Sequence, residues 1–176
     1  MHQVLYFDSP STPYVADATV LACFDARFEP VLRKLLKRLH LLRPDVIRVA
    51  GGPKALVSGT DDQRDVVFEQ FRMSHRLHGS TSALLVAHSD CSAYGGLADR
   101  AVGDHYREPC LVWAELTQAA SVLDALVGGF RINVCFLDFE RAWMPQSAPS
   151  PDPGETTLSA AIAMPWKQEI DVISGL

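Results

Sequence analysis

The chain has 176 residues, 48% apolar and 21% charged, with a formal net charge of −5. That length is most simply one domain able to bury a proper core, and the composition argues against disorder. The negative balance argues against a nucleic-acid or anionic-membrane partner, since the densest basic run, "LRKLLKR", reads as one solvated helix face.

In chain order, strands and helices alternate. "ATVLACF" (18–24) is an apolar run without clean alternation, as expected of a strand covered on both faces. "FEPVLRKLLKRLHLL" follows with Val31, Leu32, Leu35, Leu36 and Leu39 at helical spacing, opened by Pro30 and ended before Pro44. "DVIRVA" (45–50) is a second strand, closed by Gly51-Gly52-Pro53. A helix is predicted from about Asp62 to His78, with Val66, Val67, Gln70, Phe71, Ser74 and Leu77 at compatible spacings and Gly79 as a left-handed cap. "SALLVAH" (82–88) is the third strand, Pro109 to Val127 a further helix, and "INVCFLDF" (132–139) the fourth strand. The expectation is an α/β fold: a mostly parallel central sheet of four or five strands flanked by helices. Residues 1–143 would form that domain. Residues 144–176 would be a Pro-rich linker, "MPQSAPSPDPG", and an apolar C-terminal arm docking on its own domain or on a neighbouring subunit.

No apolar run reaches membrane-spanning length, and "MHQVLYFDSPSTPY" lacks the pattern of a signal peptide, so the expected compartment is the cytoplasm. The four cysteines, Cys23, Cys91, Cys110 and Cys135, are then expected as metal ligands or buried thiols rather than disulfides. Cys135 and Cys110 read as small core residues.

In open α/β sheets, ligands bind beyond the carboxyl ends of the strands. Cys23 ends the first strand, Gly51 and Gly52 follow the second, and His88 closes the third with Cys91 just after it. Two cysteines and a histidine make a three-ligand zinc set with a fourth position open. "HSDC" alone would more often be a buried histidine beside an inert thiol. Asp25, two residues past Cys23, returns to the same side of an extended segment, and Arg27 could grip its carboxylate from two sides. The alternative is a helix N-terminal carboxylate with a surface arginine. His105 and Tyr106 are candidates for a proton exit. His75 and His78 read as surface or interface residues.

"CFDAR" (23–27), "RVAGG" (48–52) and "HSDC" (88–91), in that order and spacing, resemble the β-class carbonic anhydrases in their compact form. The resemblance implies a zinc ion on Cys23, His88 and Cys91, a dyad of Asp25 and Arg27, and a substrate pocket near Gly51, Gly52 and Ser92. It also implies a homodimer, often a tetramer of dimers. The activity implied is reversible hydration of carbon dioxide to bicarbonate by a zinc-bound hydroxide, the water pKa falling from ~15.7 toward ~7. In the family's active arrangement the aspartate meets that hydroxide; in its closed form it takes the fourth zinc position. Val49 stands for the family's asparagine and Ser92 for its glycine, which places the chain in a divergent branch. Two rivals follow: a zinc hydrolase of carbonyl sulfide or a related molecule, and a catalytically silent dimeric module whose zinc is closed by Asp25. A third, a cysteine nucleophile at Cys23 or Cys91, lacks a C-x-x-C pair or phosphate loop. Two thiolates donate more charge to zinc than imidazoles do, so hydration should be faster at mildly alkaline pH. A pH–rate profile highest in acid and falling as pH rises would contradict this.

Overall fold

In the computed structural model, which describes residues 2, 4–96 and 107–145, each apolar run becomes a strand. These are β1 (Thr19–Cys23), β2 (Asp45–Val49), β3 (Ser82–His88) and β4 (Arg131–Leu137), with a two-residue β5 (Ala142–Trp143). The helices are α1 (Glu29–Arg38), α2 (Lys54–Ser58), α3 (Asp61–His78) and α4 (Arg107–Leu126). The sheet order is β2-β1-β3-β4-β5, parallel except for the β4–β5 pair. This is the α/β, mostly parallel sheet expected, with five strands. The sequence did not foretell α2 or β5, whose five and two residues are too short to carry a periodic pattern.

Both faces of the central strands are covered, and alternate residues show it. Val20, Ala22, Leu84 and Val86 pack with Phe28, Leu32 and Leu36 around α1. Leu21, Leu85 and Phe136 pack instead with Phe71 of α3 and with Trp113, Leu116 and Leu123 of α4. All of β1 and β3 is buried as a result, which explains the apolar runs without alternation.

α3 opens on a capping box, Thr60 with Gln63, and ends at Gly79 with φ +65°. Its buried stripe is Val67, Phe68, Phe71 and Ser74. Val66, Gln70 and Leu77, expected on that stripe, are exposed instead. The buried face is centred on the two phenylalanines, whose larger apolar surfaces outweigh those of Val66 and Leu77.

The amino ends of the strands are tied by polar contacts. The Asp45 carboxylate accepts hydrogen bonds from the Tyr14 hydroxyl at 2.6 Å and the Ser74 hydroxyl at 2.7 Å, and it pairs with His78 Nδ1 at 2.8 Å. His75 Nδ1 faces the Ser80 carbonyl at 2.8 Å. Both histidines therefore serve as local ties. Cys135 is buried, and burial pushes its thiol up to about 12, while Cys110 is half-buried against the core. His105, Tyr106 and residues 146–176, with the linker and arm expected there, lie outside the described residues.

Candidate metal centre

β1 is the strand at which the chain reverses direction across the sheet: β2 lies on one side of it and β3 on the other. The crevice beyond the carboxyl ends of β1 and β3 is thus a topological switch point, where such sheets bind ligands. Cys23 is the last residue of β1 and His88 the last of β3, and Cys91 follows after a turn. Their ligand atoms all lie within 4.8 Å of one another. The residues are 7%, 3% and 2% exposed.

The donor set can be tested against a metal. Two Zn–S bonds of ~2.3 Å at a tetrahedral angle place their sulfurs about 3.8 Å apart. The two Sγ atoms lie 3.9 Å apart, and neither cysteine is in a disulfide. His88 Nδ1 lies 2.8 Å from the Ser89 carbonyl oxygen and donates to it, which leaves Nε2 as the lone-pair nitrogen. Nε2 is buried and, among the described residues, has no hydrogen-bond partner. Such an orphan is costly unless a ligand uses it. The Phe28 ring packs against the imidazole with 4.3 Å between centroids, fixing its plane. Burial, as the largest influence, lowers the His88 pKa and so favours the neutral ring a metal needs. Burial also pushes the Cys91 thiol up to about 11, so metal uptake would displace its proton. The residues fit a zinc ion.

Asp25 combines both sequence readings. It caps the short 3-10 turn Ala26–Phe28, accepting from the Arg27 backbone N–H at 3.0 Å, and it is gripped by the Arg27 guanidinium. Nε reaches both carboxylate oxygens at 3.1 Å, and Nη2 reaches Oδ2 at 2.7 Å. This grip holds the carboxyl down to about 2. The carboxylate is therefore ionised throughout the neutral range, and the ion pair is lost only as pH falls through that value. Asp25 is no member of the three-residue cluster; its carboxylate is engaged with Arg27 instead.

The two glycines after β2 differ in role. Gly51 (φ +71°) donates its N–H to Cys23 Sγ at 3.4 Å, which tempers charge on that sulfur. Gly52 (φ +54°) presses on the β1 backbone: a Cβ there would lie 2.8 Å from Ala22 C and Cys23 N. Val49 is the register partner of Cys23, and Ser92 is exposed at the start of the 3-10 turn Ser92–Tyr94. A groove of about 470 Å³ along Val49, Lys54, Val66 and Ala93 adjoins the loop but includes none of the three ligands.

Three further residues organise the centre and were not singled out from the sequence. Arg48 donates to the Cys23 carbonyl at 2.7 Å and pairs with Glu29, tying β1 to α1. Asp90 pairs with Arg27 Nη1 at 2.8 Å and accepts Arg27 Nη2 on its carbonyl at 3.0 Å. Glu108, on α4, is buried beneath the His88–Cys91 turn. Asp90 stood inside "HSDC", so its place between two ligands was the available signal. Glu108 carried none, being an acidic residue in a helix first turn, which is common on a surface.

The family model described as "Putative carbonic anhydrase" matches residues 15–132, well over half of the chain. No curated protein sequence matches it significantly. Among solved structures, a carbonic anhydrase from Streptococcus mutans is 18% identical, with a TM-score of 0.53 covering 78% of this chain and 87% of its own. One of two tetrameric β-carbonic anhydrases from Sordaria macrospora is 17% identical, with a TM-score of 0.50 covering 74% and 81%. At such identities the likeness is one of fold, and the family match covers both strand ends that carry the cluster. The chain therefore belongs to the β-carbonic-anhydrase-like family.

Proposed function

We propose that this protein is a zinc-dependent carbonic anhydrase, interconverting carbon dioxide and bicarbonate. The observation that carries the proposal is the orphaned His88 Nε2, buried within 4.8 Å of two free thiols at the sheet's switch point. Zinc bound there would supply Lewis acidity, lowering the pKa of water toward ~7. Cys23, Cys91 and His88 would hold it. Arg27 holds Asp25 ionised and fixed, so Asp25 can only accept a hydrogen bond from the attacking oxygen. Asp25 would thereby turn that oxygen's proton toward itself and direct a lone pair at the carbon of carbon dioxide. The peptide at Gly51 and Gly52, with Ser92 on the facing turn, would border the substrate.

A homodimer, or a tetramer of dimers, fits the tetrameric β-carbonic anhydrases of like fold. Four unpaired cysteines fit the reducing cytoplasm. No helix among the described residues is long and apolar enough to cross a membrane.

Metal analysis followed by stopped-flow carbon dioxide hydration is the test, with one zinc per chain and hydration expected. No zinc would overturn the reading. Zinc without hydration would turn it into the silent module, and turnover of carbonyl sulfide alone would reassign the substrate. Asp25→Ala should keep its zinc and lose about 100-fold or more in kcat. An unchanged rate would remove Asp25 from the mechanism.

A further inference from the structure

Glu108 lies in the first turn of α4, where acidic side chains ordinarily face solvent, yet it is 2% exposed. Among the described residues no lysine, arginine or histidine forms an ion pair with it. Burying a carboxylate without a cation is costly, and what it gains must come from its hydrogen bonds. Those bonds are specific. Oε2 accepts the Ser89 hydroxyl at 2.5 Å, and Oε1 accepts the Asp90 backbone N–H at 2.7 Å. Ser89 and Asp90 are the two residues between His88 and Cys91.

Each clamped residue serves a different half of the centre. The Ser89 carbonyl receives His88 Nδ1–H and so selects the tautomer that frees Nε2. Asp90 is held at φ +53°, a conformation unusual for a residue with a Cβ. From there its carboxylate and carbonyl engage Arg27 Nη1 and Nη2, and the same guanidinium grips Asp25. Gly96 leaves room for this pose: a Cβ there would lie 3.0 Å from Asp90 Oδ1.

We propose that Glu108 is a positioning residue, clamping the Ser89–Asp90 peptide so that His88 presents Nε2 and Arg27 keeps Asp25 away from the metal position. The inference rests on the metal-centre reading above. Glu108 touches no reacting atom; it acts through the Ser89–Asp90 peptide and the Ser89 hydroxyl on a ligand position and on a carboxylate. Glutamine can reproduce the geometry, with its oxygen on the Asp90 N–H and its amide donating to a reoriented Ser89 hydroxyl. Alanine cannot.

The experiment measures zinc affinity by chelator competition and the visible spectrum of the cobalt-substituted protein, with and without added azide. Parent protein should bind metal, and azide should change its cobalt spectrum. Glu108→Ala should weaken zinc binding about 10- to 100-fold and blunt the azide response, because released Asp25 competes for the position. Glu108→Gln should restore both. Asp90→Gly guards against a misfolded Glu108→Ala, since glycine adopts the left-handed backbone without strain and removes the carboxylate that holds Arg27 Nη1. It should blunt the azide response with zinc affinity near that of the parent. Folded variants with parental zinc affinity and a full azide response would overturn the inference alone. A parent that takes up neither zinc nor cobalt would overturn the metal reading, and this inference with it.

Discussion

Replacing Cys91 with alanine should leave a folded protein that no longer retains zinc through gel filtration and has no measurable carbon dioxide hydration. Among the described residues, the cluster offers three ligand atoms and no substitute for a lost thiol. Dividing the ~10–16 kcal/mol of a four-ligand zinc site evenly assigns about 3 kcal/mol to each ligand, roughly 100-fold in affinity. The fold should survive because Cys91 packs with Cys23 and Tyr94, apart from the two large apolar clusters on the sheet faces. Cys135→Ala is the control. That thiol is equally buried but packs on the α1 side of the sheet, so its loss should lower stability and leave zinc content at one per chain. Metal analysis and chelator competition decide the matter. Stoichiometric zinc in Cys91→Ala would show that the metal is held elsewhere.

Gly52→Ala should be the most damaging small substitution in the site. Its positive φ alone costs a residue with a Cβ about 1–3 kcal/mol. The new methyl would also meet the backbone of Ala22 and Cys23 at 2.8 Å, atoms fixed by strand pairing on both sides of β1. Pushing them away adds a further ~1–3 kcal/mol, so a loss of about 4 kcal/mol and a fall in Tm of roughly 8–16 °C are expected. Because the displaced atoms include Cys23 itself, zinc affinity should fall as well. Gly51→Ala makes the comparison: its Cβ would meet the Cβ atoms of Ala93 and Lys54 at 3.0 and 3.1 Å, a milder overlap that a shift of a few tenths of an ångström relieves, not the 2.8 Å backbone clash at Gly52. Thermal melts of the two variants should rank Gly52→Ala well below Gly51→Ala. Equal melting temperatures would mean that the turn relaxes away from β1.

How much of this was legible in the sequence depended on how each residue works. The three candidate ligands could be read because Cys23 and His88 stand at the ends of apolar runs, with Cys91 just beyond, and a parallel sheet places such ends together whatever the side chains between them. The four main strands were legible as short apolar runs bounded by turn residues, and α1, α3 and α4 because they are long enough to show a helical period. Val66 and Leu77 misled because hydrophobic spacing gives a stripe about 100° wide, and the phenylalanines at 68 and 71 turned it. Glu108 was invisible for a different reason. Its partners are a serine hydroxyl and a backbone N–H 19 and 18 residues upstream, and neither leaves a compositional trace. Asp90 required knowing that Arg27, 63 residues away, arrives at the same turn.

The division of the ligands between two strands has a consequence for the unfolded chain. Cys23 and Cys91 are 68 residues apart in sequence, so a metal joining them would close a loop of that length. If it behaved as a permanent cross-link, the lost freedom of the unstructured loop would be worth about 4 kcal/mol. The ion would then act as a removable clasp on chain entropy, and the protein's resistance to unfolding would track metal supply.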